Sequence, residues 1–171
     1  MANLNSFITF VHKTIDSFSS LMIVSHNPGI ENFALELIKN KKKLIPEIVY
    51  CSNAIRAKQT WELTNRIVKK KENIFYSNDL YMANLNSFIT IVNKTIDNFS
   101  SLMLVSHNPG IENFALELIK NKKNKFYDNI SMKYPTAALA IILFDEKKWS
   151  NIKIGTGKII DFIKPRDLRS M

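Results

Sequence analysis

Several features are scarce in this sequence, and each absence excludes a class of protein. The 171 residues include one cysteine, Cys51, so no intrachain disulfide forms, which suits a reducing cytoplasm. No apolar run reaches the length of a membrane span, and no charged segment precedes an apolar one at the N-terminus. Arginine is rare beside lysine: all four arginines follow position 55, and no Arg-His pair occurs anywhere. We therefore expect a cytoplasmic protein without membrane contact.

The composition is that of a folded protein. Hydrophobic residues make up 46% of the chain and aromatic residues 11%, which excludes a disordered chain. The length suits one structural domain with a sizeable core.

The net charge of +9 comes almost entirely from lysine. The lysines cluster at Lys41–Lys43, Lys69–Lys71 and Lys120–Lys125, where predicted helices end and cations are favourable. These clusters carry no interleaved aromatic residues and match no nucleic-acid-binding module, so we expect no nucleic-acid partner. The charge suits anionic substrates.

The most unusual feature is an internal duplication. Residues Met1–Lys43 and Met82–Asn124 align without a gap and differ at only five positions. Repeat architectures tolerate far more divergence, since each unit needs only its apolar pattern. The near-identity therefore indicates a recent duplication rather than a solenoid.

Each copy predicts a helix, a strand, a Ser-His-Asn-Pro-Gly turn and a second helix. In the first copy these are helix Asn3–Phe18, strand Leu21–Val24 and helix Ile30–Lys42. In the second they are helix Asn84–Phe99, strand Leu102–Val105 and helix Ile111–Lys122.

The remaining segments complete an alternating pattern of strands and helices. Between the copies lie strand Ile48–Cys51, helix Asn53–Lys71 and strand Asn73–Tyr76. After a loop rich in lysine and asparagine come the β-branched apolar run Ala137–Phe144 and a hairpin, Asn151–Ile154 with Lys158–Ile163, turning at Gly155-Thr156-Gly157. This order predicts an α/β three-layer sandwich with a mainly parallel central sheet and an antiparallel edge.

Two polar segments directly follow predicted strands. One runs from Ser52 through Arg56 to Thr60, and the other includes His107 and Asn108. Open α/β sheets bind ligands at the carboxyl ends of their strands. An arginine grips a phosphoryl group bidentately, and a histidine exchanges protons with it near neutral pH. The second segment also opens a helix, whose positive end favours anions.

Together the segments resemble the histidine phosphatase superfamily, most closely its small SixA-type phosphohistidine phosphatases. The resemblance extends over about residues 44–171 and rests on Ile48–Ser52, Arg56-Ala57-Lys58-Gln59-Thr60, Ser106–Glu112, Pro135–Ala138, Asp145, Trp149 and Pro165–Leu168. Residues 1–43 then stand where that family has its own N-terminus, and residues 44–171 form the histidine-phosphatase-like domain.

The resemblance implies a phosphatase that acts on phosphohistidine in a protein or on a small phosphomonoester, without a metal or cofactor. Arg56 and His107 would hold the phosphoryl oxygens, and Asn108 would shape the pocket. The nucleophile of the family is a histidine in an Arg-His motif after the first strand, and this sequence lacks that motif.

Three residues are candidates for the missing nucleophile. His26 follows the strand of the first copy, in the order of elements where the family has its nucleophile, with Ser25 in place of the arginine. His12 matches Asn93 on an amphipathic helix, which favours a structural role. A cysteine-phosphatase loop needs five residues between the cysteine and the arginine, with glycine among them. Only four residues separate Cys51 from Arg56, and none of them is glycine, so Cys51 does not form such a loop.

A second hypothesis is a rearranged, inactive remnant. In that account the copied segment replaced the original N-terminus, and the two copies compete for one place in the sheet. The protein would then at most bind phosphate or a phosphorylated protein.

Overall fold

The computed structural model describes residues 20–26, 45–69 and 71–164. Its strands are β1 (Ser20–His26), β2 (Ile48–Ser52), β3 (Ile74–Ser77), β4 (Ser101–Ser106), β5 (Leu139–Phe144) and β6 (Lys158–Ile163). Its α-helices are α1 (Ile55–Val68), α2 (Leu85–Asn93), α3 (Gly110–Leu118) and α4 (Lys125–Met132). Short 3-10 helices cover Asn78–Leu80 and Trp149–Asn151. No helix within these ranges is long and apolar enough to cross a membrane.

The six strands form one sheet in the order β3-β2-β4-β1-β5-β6. Strands β1 to β4 are parallel to one another. Strand β5 is antiparallel to both β1 and β6, so it alone runs in the opposite direction. The sheet is therefore mainly parallel with an antiparallel edge, as the sequence predicts.

The strand of the first copy lies beside the strand of the second. Strand β1 pairs with β4 on one side and with β5 on the other. The register sets His26 against Ser106, although the repeat matches His26 with His107, so the copies are shifted by one residue. The sheet thus accommodates both strands, and the expectation that they compete for one place is wrong.

Helices cover both faces of the sheet. On one face, Leu102 and Leu104 of β4 join a buried cluster with Phe88 of α2 and Phe114 of α3. The alternate β4 residue Met103 is buried on the other face, where α1 packs against β2 and β4. These layers give the predicted three-layer sandwich.

Helix α1 packs against the sheet through one row of buried side chains. Ala57, Trp61 and Thr64 recur at helical spacing, and each is at most 1% exposed. The helix ends where Lys69 adopts a positive φ of 54° and donates its N–H to the Asn65 carbonyl.

Two predicted helices end earlier than the sequence pattern indicates. Helix α2 ends at Asn93 instead of Phe99, because Asp97 accepts the Trp149 backbone N–H and Phe99 accepts the indole N–H. Helix α3 ends at Leu118 instead of Lys122, because Lys120 donates its backbone N–H to Gly157.

Helix α4 replaces part of the predicted loop. The Asn124 side chain accepts the backbone N–H groups of Phe126 and Tyr127, which caps the first turn. Ile130 is fully buried and anchors the helix in the core.

The predicted C-terminal hairpin is wrong. Strand β6 pairs with β5 and not with Asn151–Ile154, which forms the end of a 3-10 helix and a turn. The backbones of Gly155 and Gly157 instead donate to the Glu117 and Leu118 carbonyls at the end of α3. Helix predictions Asn3–Phe18 and Ile30–Lys42, and the motif Pro165–Leu168, lie outside the described residues.

Candidate active site

The two polar segments predicted from the sequence meet at the carboxyl edge of the sheet. Strands β2 and β4 are neighbours, so Ser52 at the end of one lies beside His107 after the other. His107 Nε2 and Ser52 Oγ are 3.2 Å apart, a hydrogen bond whose donor depends on the histidine tautomer. Ser52 is fully buried, whereas His107 is half-buried and reaches the surface.

The hydroxyl of Ser52 has a second partner. The backbone N–H of Ala54 donates to Ser52 Oγ at 3.3 Å, which leaves the hydroxyl proton available for His107. Helix α1 begins just after this turn, at Ile55. The contact therefore links the histidine to the turn that leads into α1, the helix that carries Arg56.

Aromatic and backbone contacts hold the other side of His107. The Tyr81 ring meets the His107 ring edge to face, with centroids 5.8 Å apart at 83°. Next to it, the Ser106 hydroxyl donates to the Leu80 carbonyl at 2.6 Å, which ties the end of β4 to the 3-10 helix. Because Tyr81 is 55% exposed, it forms part of the rim of the site.

The turn after His107 is fixed by its neighbours. The Asn108 amide nitrogen donates to the Tyr134 carbonyl at 2.9 Å, so this side chain anchors the turn. A Cβ at Gly110 would overlap the carbonyl oxygen of Ala83, so only glycine fits where α3 begins. The role of Asn108 in shaping a phosphate pocket stays a prediction.

Arg56 lies in the first turn of α1, at the same edge of the sheet. Its side chain is exposed, and it forms no ion pair with the described residues. Thr60, one turn later, donates its hydroxyl to the Arg56 carbonyl at 2.9 Å. The guanidinium is thus presented to solvent by a helix whose start is well anchored.

His26 ends the strand next to β4 and is set against Ser106 in the register. This places its backbone at the same edge as Ser52 and His107. Its role as nucleophile stays a prediction, and His12 lies outside the described residues.

Burial changes the acidity of two groups near the site. It raises the pKa of the Cys51 thiol from 9.0 to about 12, so the thiol is protonated at neutral pH. Cys51 is fully buried, and its Sγ contacts the Ser52 carbonyl. A thiolate nucleophile at Cys51 is therefore disfavoured, in agreement with the sequence.

Burial also raises the pKa of the Glu112 carboxyl, which lies in the first turn of α3.

The sequence pattern predicts no specific role for Ser52 or Tyr81. Ser52 is separated from His107 by 55 positions, and only the pairing of β2 with β4 brings them together. The position of Ser52 at the end of a buried strand, before Arg56, is a local signal for a site residue. Tyr81 has no such signal, because it belongs to neither motif.

Comparison with known proteins shows distant relatives by sequence. No protein-family profile matches the chain. An uncharacterized protein of Mycobacterium leprae is 29% identical over 121 residues, which cover 70% of this chain and 72% of that protein. An uncharacterized protein of Mycobacterium tuberculosis is 29% identical over 122 residues, 70% and 74% of the two chains.

Solved structures give a clearer match. SixA from Nakamurella multipartitia superposes with a TM-score of 0.71 at 15% identity over 85% of this chain and 96% of that one. The chain has a SixA-like histidine phosphatase fold. SixA from Agrobacterium tumefaciens gives a TM-score of 0.68 at 20% sequence identity, and the match covers 87% of this chain and 100% of that one. The protein histidine phosphatase SixA complexed with tungstate gives a TM-score of 0.67 at 17% sequence identity, and the match covers 86% of this chain and 99% of that one.

Proposed function

We propose that this protein is a phosphatase of the histidine phosphatase type, acting on phosphohistidine in a protein or on a small phosphomonoester. The observation that supports it most is the 3.2 Å contact between Ser52 and His107, which joins two separately predicted motifs at one edge of a SixA-like sheet. Such an edge is where α/β sheets bind ligands.

The groups at this edge suit a phosphoryl group. Arg56 supplies a permanent cation with paired N–H donors, and it is exposed for contact. His107 supplies a ring nitrogen that donates to a phosphoryl oxygen when protonated. The positive end of α3, which starts three residues later, adds to the attraction for anions.

Within this proposal, His26 is the nucleophile. A ring nitrogen of His26 attacks phosphorus, and the bond from phosphorus to the leaving oxygen or nitrogen breaks. The leaving group takes its proton from water. Water then attacks the phosphorylated His26, which breaks the new N–P bond and releases inorganic phosphate. The position of β1 beside β4 supports this assignment, since it brings His26 to the edge that carries His107.

Turnover of p-nitrophenyl phosphate and of a phosphohistidine protein tests the proposal. We expect His26→Ala and His107→Ala to lose about 100-fold or more in kcat, while His12→Ala, the matched control, retains wild-type turnover. Undiminished turnover in His26→Ala would assign the nucleophile elsewhere.

A second candidate function is phosphate binding without turnover. The absence of any Arg-His pair in the sequence favours it, because the residue directly before His26 is Ser25 and not an arginine. Binding of inorganic phosphate, measured by calorimetry, together with no release from either substrate would select this function over the phosphatase.

A further inference from the structure

A cleft of about 520 Å³ lies at the edge of the sheet opposite to His107. Helix α3 starts at the carboxyl edge after β4 and runs back along the sheet, so its end reaches the other edge. Strand β6 starts there too, because Lys158 pairs with Leu143 at the end of the reversed strand β5. The cleft is lined by Ile119, Lys120, Asn121, Asn124, Lys125, Phe126, Gly157, Lys158, Ile159 and Ile160.

Backbone hydrogen bonds fix one wall of the cleft. Gly157 donates its N–H to Leu118 and accepts from Lys120, both at 2.7 Å, and it forms a parallel bridge with Ile119. A Cβ on Gly157 would lie 2.5 Å from Ile142 Cγ2, so a side chain does not fit there. The wall is therefore built into the fold and does not depend on a ligand.

The floor and the rim of the cleft differ in chemistry. Ile119, Ile159 and Ile160 are 1%, 7% and 3% exposed and form an apolar floor. Three exposed lysines stand around it: Lys120, Lys125 and Lys158. The ten described residues that line the cleft include no aspartate or glutamate.

The amide side chains at the rim hold the local backbone in place. The Asn121 side chain accepts the Lys123 N–H, and the Asn124 side chain caps α4 and donates to the Asn121 carbonyl. The three lysines give the rim of the cleft its positive charge, and the Nζ of Lys125 lies 4.9 Å from the centroid of the Phe126 ring. Several lysines around one cleft concentrate positive potential there, which attracts anions.

We propose that this cleft binds a small organic anion with an apolar body. The body would lie on the isoleucine floor, and its carboxylate, sulfonate or phosphate would lie at the lysine rim. The volume falls in the range of small-molecule sites, about 300–1,000 Å³, which favours such a ligand over a folded partner. This site is separate from the phosphoryl site, so it does not rest on the proposed phosphatase function.

The fluorescent sulfonate 8-anilinonaphthalene-1-sulfonate is a suitable probe, because it combines an aromatic body with one anionic group. We expect the double variant Lys125→Glu/Lys158→Glu to bind it at least ~10-fold more weakly than the full wild-type chain does. The double variant Lys133→Glu/Lys147→Glu changes the net charge equally at exposed lysines outside the cleft, and we expect less than a twofold effect. Thermal unfolding of each variant checks that it is folded.

Amide chemical shifts locate the bound probe. Saturable shifts at Gly157, Ile159 and Asn121 would support the cleft as the site. Equal weakening in both double variants, or shifts confined to other residues, would overturn the proposal. Shifts of the cleft amides by an acidic peptide or by anionic vesicles, with none from the probe, would also overturn it and assign the cleft to that partner.

Discussion

Ser52 Oγ and His107 Nε2 lie 3.2 Å apart across two neighbouring parallel strands. The serine is fully buried and also accepts the Ala54 N–H, so its own position is fixed by the loop that leads into α1. A buried hydroxyl with two partners forms a satisfied polar network, which favours one orientation of the imidazole ring. The relationship therefore couples the position of His107 to the start of the helix that carries Arg56.

We predict that Ser52→Ala weakens the binding of inorganic phosphate about 3- to 10-fold, the value of one hydrogen bond of about 0.5–1.5 kcal/mol. The His107 ring loses its partner and samples other orientations. Calorimetry gives the affinity, and long-range ¹H–¹⁵N spectra of the histidine rings report the change of tautomer.

Ser101→Ala is the matched control for this variant. Ser101 is also a buried serine of the sheet, and its hydroxyl accepts the Glu47 N–H at 3.0 Å at the opposite edge. We expect it to lower the free energy of unfolding without changing phosphate affinity. Equal affinity in the two serine variants would contradict a role for Ser52 in the site.

We predict that Arg56→Ala weakens binding of phosphate or tungstate about 10- to 100-fold, since a charge-assisted hydrogen bond is worth about 1.5–3 kcal/mol. The free energy of unfolding stays nearly constant because the side chain is exposed. Arg66→Ala, at an exposed position in the last turn of the same helix, is expected to change affinity less than twofold. Weaker binding in both variants would show a general effect of charge instead of a specific contact.

The sequence predicts the parts of the site that are local. Each motif follows a strand, and a strand followed by a polar turn is visible in the order of residues. The Ser52–His107 contact is not local, because it depends on β4 inserting beside β2 across 55 positions. Tyr81 likewise reaches His107 through tertiary packing alone.

The errors in the fold have the same origin. Gly155-Thr156-Gly157 has the composition of a hairpin turn, but its backbone hydrogen bonds go to the end of α3. The apolar residues keep helical spacing up to Phe99. The helix nevertheless ends earlier, because Trp149, from a distant part of the chain, donates its backbone N–H to the Asp97 carboxylate and its indole N–H to the Phe99 carbonyl. Long-range hydrogen bonds of this kind override local propensity.

We predict that Gly110→Ala destabilises the protein by about 1–3 kcal/mol, because the new methyl group overlaps the Ala83 carbonyl and pushes α3 from its place. The shift would also move His107, so phosphate affinity should fall. Urea unfolding and calorimetry measure the two effects. Gly155→Ala, where a Cβ meets open space but φ is +73°, should lower stability without affecting phosphate binding. Unchanged stability in Gly110→Ala would show that this packing is looser than described.

We predict that Cys51 makes stability depend on pH in the alkaline range. Burial raises its pKa from 9.0 to about 12, so the folded state binds the thiol proton more tightly than the unfolded state does. The stabilisation is complete below pH 9 and is lost as the pH rises towards 12, by about 1.4 kcal/mol per pH unit.

Urea unfolding at pH 8, 9.5 and 10.5 measures this dependence. The stability difference between the wild type and Cys51→Ala should shrink as the pH rises, because the variant has no thiol to ionise. Val49→Ala is the control: it removes an equally buried side chain from the same strand, and its difference from the wild type should stay constant. A constant difference for Cys51→Ala as well would mean that the folded-state pKa of the thiol is close to 9. In that case Cys51 would carry a substantial thiolate fraction at mildly alkaline pH, and its exclusion as a nucleophile would no longer hold there.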